Sequence, residues 1–375
     1  MDAATAEDPG TEFEPFASDA PLKVMAETTP TRYFNDSCAT SELTYAIDRG
    51  ATGATSNPVI CLAVLRSEGD RWLPRAAEMI ITQKSANERK IAWELYCEMG
   101  ARGAELLMPV FEKNDRTWGR ISVQTDPTLH NNGGAMLSQA EELARLGPNL
   151  QVKMPATSAG ISALEEATFR GVNLNVTVSF CVPQVLAIAE AIERGLQRRD
   201  DAGLDTAHMA PVATLMVGRL DDWMKVVVER DQLTVDPSAL DWAGIACVKR
   251  ALVLFQEHGY RTKLLAAAYR HLGHWTELVG GDVVLTMPWE WQVKANRSGH
   301  RPEPRIDCAV DTEVMAALLT IPDFQRAYEP DGMTVSEFDT FGPTVRTLRS
   351  FIGAWYDFVG DVRNVMLPDP DPRRP

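Results

Sequence analysis

The chain has 375 residues, 45% of them hydrophobic, and carries 52 acidic against 37 basic side chains for a formal net charge of −15. That content supports one large core or two ordinary ones. The acidic excess repels nucleic acid and anionic membrane surfaces, so an anionic small molecule would need a local cluster of arginine or lysine to hold it.

Residues 1 to 30 are rich in Ala, Asp, Glu, Thr and Pro with little apolar periodicity, which predicts a flexible N-terminal tail. The opening MDAATAEDPG lacks the basic and apolar parts of a signal peptide. No apolar run approaches the ~20 residues of a bilayer span, so a cytoplasmic location is expected. Short apolar segments follow at intervals: TRYFN (31–35), GATGAT (50–55), GRISVQT (119–125), LQVKM (150–154), VNLNVTVS (172–179), VATLMV (212–217), TKLLAAA (262–268) and VVLTM (283–287). Helical patterns separate several of them; ISALEEATFR stops at Gly171, and PQVLAIAEAIERGLQRR places its apolar residues at helical spacing. Strands alternating with helices predict an α/β fold with a parallel sheet. At this size the expectation is a single-domain (β/α)8 TIM barrel over residues 31–363, followed by a Pro-rich tail over 364–375. A doubly wound open sheet is the alternative, disfavoured because no GxGxxG follows the first strand. The six cysteines (Cys38, Cys61, Cys97, Cys181, Cys247, Cys308) form no CxxC pair and read as reduced thiols.

Alternation within the strands separates two faces. In LQVKM the apolar Leu150, Val152 and Met154 face helices, and Gln151 and Lys153 point into the barrel. In VNLNVTV the inward set is Asn173, Asn175 and Thr177; in RISVQTD it is Ser122, Gln124 and Asp126. Branched apolar residues usually fill barrel interiors, so polar sets on successive strands predict a reaction cavity. An ammonium among amides and hydroxyls is poorly solvated and its pKa falls. Lys153 is then either a neutral amine able to attack a carbonyl, or a lysine paired with a carboxylate from elsewhere in the chain.

The segment VKMPATSAGISALEEATFRGVNLNVTVSF resembles the transaldolase family, whose members are (β/α)8 enzymes that form a Schiff base with a ketose through a strand lysine. GATGATSNPVI, GRISVQTDPTL, VGRLDDW, AAAYRHLGHW and LTMP resemble it in the same order, from about Tyr33 to Pro288. The resemblance implies that Lys153 is the nucleophile and that a three-carbon dihydroxyacetone unit is transferred or cleaved from a sugar phosphate. It places Asn57, Asn175 and Thr214 on the bound ketose, Thr177 beside a catalytic water, and Arg219 and Arg270 on the phosphate. It also places Ala268 where the family has a phosphate-site serine. The family's first-strand aspartate, the general acid/base, falls on Asn35, 22 residues before Asn57. The third-strand glutamate falls on Gln124, a replacement similar to that in fructose-6-phosphate aldolases. Asp36 would substitute for the missing carboxylate only if the strand shifted or bulged, and Asp126 is a further inward acid.

The resemblance implies no cofactor and is compatible with a homodimer. His271 and His274 lie at i, i+3 without a ligand set beside them in sequence, and no metal is assigned. Two other readings stand beside the transaldolase-like one. One is a diverged enzyme of specialised metabolism acting on a more apolar substrate, suggested by Trp289 and Trp291 after the last strand. The other is a non-catalytic sugar-phosphate-binding protein.

Overall fold

The computed structural model describes residues 20–371. Eight strands, β1 (Arg32–Asn35), β2 (Gly53–Thr55), β3 (Arg120–Gln124), β4 (Leu150–Pro155), β5 (Leu174–Thr177), β6 (Val212–Leu215), β7 (Lys263–Ala266) and β8 (Val283–Met287), lie side by side in chain order. Every neighbouring pair is parallel, and β8 closes on β1 through Arg32 opposite Val284 and Asn35 opposite Met287. Helices fill the crossovers, so the fold is the expected single (β/α)8 barrel. Closure removes the open-sheet alternative, and all eight apolar segments supply a strand.

The outer core lies between strands and helices. Ile121 and Val123 of β3 are buried against the helix Glu88–Lys113, which comes close because it presents glycine there. A Cβ on Gly100 would stand 2.5 Å from Val123 Cγ2, and one on Gly103 2.4 Å from Ile121 Cδ1. At the start of β4, buried Asn149 donates to Ala104 O and Gly119 O, tying that helix to the strand ends.

Helix occupies part of each expected tail. Residues 1–19 of the N-terminal tail lie outside the described residues, but Pro21–Thr28 is a helix with Leu22 and Met25 buried. Met25 Sδ accepts from Trp275 Nε1 at 3.2 Å and Asn296 Oδ1 accepts from Leu22 N at 3.2 Å. Burial of an i, i+3 pair holds this turn although its composition reads as unstructured. The last helix, Gly342–Met366, likewise runs into the expected C-terminal tail, of which residues 372–375 are outside the described residues. Among the described residues no helix is long and apolar enough to cross a membrane.

Candidate active site

The barrel interior carries a polar seam. Gln151 Oε1 accepts from Ser122 Oγ, which accepts from Asn175 Nδ2, whose Oδ1 accepts from Thr214 Oγ1, all at 2.7 to 2.9 Å. Four successive strands are thereby stitched on their inner faces, as the alternation required. Gln151 also donates to Ala210 O. Lys153, two residues further along β4, is 3% exposed, and its Nζ donates to Ser56 O at 3.2 Å. Among the described residues it forms no ion pair. Burial lowers its pKa and the nearby Arg219 lowers it further, against the pull of Asp36.

The electrostatic partner of Lys153 is therefore Asp36, and the reading of β1 needs correction. Tyr33 gives its hydroxyl to Ala46 O and Arg49 O, on the helix side. Asn35, two residues later, shares that side: its Oδ1 accepts from Gln292 Nε2 of the helix Trp289–Arg297 at 2.7 Å, and its Nδ2 donates to Ser37 O. Asn35 thus faces away from the barrel interior. Asp36 faces in, its Oδ1 accepting from Thr55 Oγ1 at 2.6 Å, and Thr55 Oγ1 is 2.5 Å from Thr286 Oγ1. Side chains of β2 and β8 meet across β1 only on the inside of a closed barrel. No bulge is needed, because inward parity falls on Asp36 from the start. Burial raises the Asp36 pKa, opposed by Lys153, the Thr55 hydrogen bond and Arg219. Burial moves the two groups in opposite directions, each toward its uncharged form, and each is opposed by the other's charge.

Gln124 ends β3 directly opposite Lys153 in the register, almost fully buried, with no partner for Oε1 or Nε2. Thr177 ends β5, its hydroxyl 3.9 Å from Met216 Sδ. The next residue, Val178, has φ +56, a left-handed conformation that a β-branched side chain adopts only under constraint. Gln184 Nε2 supplies part of that constraint by donating to Val178 O at 3.3 Å and Ala156 O at 3.4 Å. Asn57 caps the helix Pro58–Ser67 by accepting from Ile60 N at 3.0 Å, which leaves its Nδ2 as the available donor.

Arg219 and Arg270 come together beyond the C-terminal ends of β6 and β7, the end at which (β/α)8 enzymes build their sites. Arg219 is half-buried, donates to Thr347 Oγ1 at 3.3 Å and lies over the Phe351 ring at 5.4 Å. Burial, then Arg270, lowers its pKa. Arg270 is exposed and paired with Asp222 at 2.7 Å. Ala268, at φ +68, bends the loop that presents it.

Other sequence-based candidates fall elsewhere. Asp126 caps the turn Pro127–Leu129, its Oδ1 accepting from Thr128 N and Oγ1. Trp289 packs edge-on against Tyr45, and Trp291 lies under Lys294 Nζ. His271 and His274 do have a carboxylate beside them, Asp221, which is distant in sequence. Sequence reasoning missed Tyr269, whose buried hydroxyl has no partner and whose pKa is raised by burial and by Asp36. Its place between Ala268 and Arg270 was the signal available.

Comparison with known proteins identifies the family. The family model described as transaldolase/fructose-6-phosphate aldolase matches residues 33–321. Transaldolase 2 of Streptomyces avermitilis is 33% identical over 259 residues, 63% of this chain and 68% of the relative. The transaldolase of Acidothermus cellulolyticus is 29% identical over 213 residues, 56% and 55% of the two chains. That of Mycolicibacterium paratuberculosis is 27% identical over 289 residues, 74% and 77%. The match to the family model spans all eight strands, and the chain belongs to the transaldolase/fructose-6-phosphate aldolase family.

Proposed function

We propose that the protein is a transaldolase-type enzyme in which Lys153 forms a Schiff base with a phosphorylated ketose. The observation that carries this reading is the buried Lys153 nitrogen, held by one carbonyl oxygen and facing a carboxyl group that burial also drives toward its neutral form. The amine attacks the ketose carbonyl carbon, and the carbonyl oxygen takes the proton of the Asp36 carboxylic acid to give a carbinolamine, leaving Asp36 as the carboxylate. Loss of water leaves an iminium ion. The C3–C4 bond then breaks, its electron pair moving into the iminium as the C4 hydroxyl gives its proton to the Asp36 carboxylate. The aldehyde departs, leaving a three-carbon enamine on Lys153. An acceptor aldehyde takes up that enamine in transfer; protonation and hydrolysis release dihydroxyacetone in simple cleavage.

In this reading Asn57, Asn175 and Thr214 orient the ketose hydroxyls. Gln124 and Thr177 hold the water that adds to the imine, and Arg219 and Arg270 bind the phosphate as a charge-assisted pair. The relatives' name, transaldolase, supports the same chemistry.

Fructose 6-phosphate and borohydride, followed by peptide mass analysis, should leave a reduced three-carbon adduct on Lys153 and none in Lys153→Met. No adduct under conditions that label a relative would remove the proposal. A second reading, an unphosphorylated or different carbonyl substrate, draws on the Ala268 methyl where the family has a hydroxyl and on the Asp222 carboxylate already paired with Arg270. Trapping with unphosphorylated ketoses separates the two.

A further inference from the structure

Arg270 is set in place by a buried pair contributed by two other segments. Asp221, on the helix Val217–Arg230, and His274, on the short helix after β7, have fully buried side chains, with Asp221 Oδ2 2.7 Å from His274 Nε2. The other Asp221 oxygen accepts the Gly244 backbone N–H at 2.8 Å. Across the imidazole, the backbone N–H of Arg270 donates to His274 Nδ1 at 3.1 Å. An N–H can point only at an unprotonated ring nitrogen, so the ring's proton sits on Nε2, where the carboxylate accepts it. Burial pushes Asp221 up, yet the neighbouring His271 ring and the hydrogen bonds from His274 and Gly244 outweigh it and hold the carboxyl below its usual range. Burial keeps His274 below its usual value, helped by His271 and Arg270 and opposed by Asp221.

Asp221, His271 and His274 bring three ligand atoms within 4.8 Å of one another, which raises the question of a metal. The Arg270 N–H argues against one: a metal on Nε2 would leave the ring proton on Nδ1, facing that N–H donor. His271 Nε2 is in addition 3.0 Å from Asp241 O.

We infer that Asp221 and His274 are positioning residues that lock the imidazole tautomer so that it holds the backbone of Arg270, fixing where that guanidinium stands at the barrel mouth. The inference rests on the reading of Arg270 as a phosphate-binding group. One helix then governs both guanidinium groups: it carries Arg219, braces the Arg270 backbone through Asp221, and pairs the Arg270 side chain through Asp222. Gly218, the second residue of that helix, touches the same loop, its N–H donating to Ala268 O at 3.1 Å. A Cβ there would lie 2.1 Å from that oxygen and 2.7 Å from Arg270 Cγ.

Asp221→Asn is the discriminating variant. If its side-chain oxygen keeps the Gly244 N–H, its amide faces Nε2, drives the ring proton to Nδ1 and sets two donors against each other at Arg270. The expected result is a rise of about tenfold or more in KM for fructose 6-phosphate, with kcat and borohydride trapping of unphosphorylated dihydroxyacetone on Lys153 unchanged. His274→Asn, whose oxygen can take the place of Nδ1, should recover most of the loss seen in His274→Leu. Unchanged KM in both Asp221→Asn and His274→Leu, or an equal fall in kcat for phosphorylated and unphosphorylated substrates, would overturn the inference.

Nitrogen-15 NMR of the wild-type histidine rings tests the tautomer without any variant; a proton on His274 Nδ1 would also overturn it. Should no ketose label Lys153, the proposed reaction fails but the relay is still decided by thermal stabilisation with inorganic phosphate. Stabilisation of the wild type that Asp221→Asn loses supports it, and equal or absent stabilisation in both proteins does not.

Discussion

Gln124 stands directly across from Lys153 in the pairing of β3 with β4, and neither of its amide atoms has a hydrogen-bond partner. Leaving a buried polar group unpaired costs about 1–3 kcal/mol, so this side chain is poor for folding and suited to receiving something polar. Gln124→Met is expected to raise stability by about 1 kcal/mol in urea unfolding while lowering turnover. Equal or lower stability would mean the amide is satisfied in solution. Gln124→Glu should instead slow trapping at neutral pH, because a second carboxylate beside Lys153 favours the ammonium.

Asp36 and Asn35 give opposite predictions. Asp36→Asn removes the group placed to move the C4 hydroxyl proton and should reduce turnover by roughly 10² to 10⁴-fold, with the fold retained. Asn35→Ala breaks the bond to Gln292 and should cost about 1 kcal/mol with little effect on kcat. Kinetics and denaturation of the pair check both; the reverse pattern would return the acid/base role to the neighbourhood of Asn35.

The Lys153 shift makes a signed claim about pH. Its folded pKa lies below the ordinary lysine value, so between that lowered value and about 10.4 the unfolded chain binds more protons and stability rises with pH. The stability gap between Lys153→Met and the wild type should therefore be widest below the folded pKa and close as pH approaches about 10.4. Asp36 is raised, so its contribution has the opposite slope: stability falls as pH climbs from about 3.9 through the folded value, a fall that Asp36→Asn should abolish. Denaturant midpoints across pH for the three proteins supply the test.

Arg270 is paired with Asp222 at an exposed site, where such pairs contribute about 0–1 kcal/mol. Arg270→Ala should leave stability within that range and raise KM for phosphorylated substrates only. A stability loss of several kcal/mol would assign Arg270 to the fold.

The sequence made the barrel legible where strands alternate strictly. The LQVKM and VNLNV segments put Lys153, Gln151 and Asn175 inside, and the Ser122–Gln151–Asn175–Thr214 seam has that parity. The first strand was not legible in this way. RYFN has an aromatic on each face, Tyr33 toward the helices and Phe34 against Gly53, so its alternation gives no sign, and the family spacing pointed to Asn35, whose side chain bonds to the helix Trp289–Arg297. Asp221 lay beyond reach for another reason. Its partner His274 comes from a different crossover, and no local pattern brings the two together.

The brace on Arg219 comes from far along the chain: its partner Thr347 is 128 residues away, on the same helix as Phe351. A ribosome will have released all eight strands before either residue emerges. During synthesis the barrel can therefore close around Lys153 while Arg219 still lacks its support. A nascent chain halted before Gly342 would carry Lys153 inside the barrel without the helix that steadies Arg219, so the support of that guanidinium arrives last.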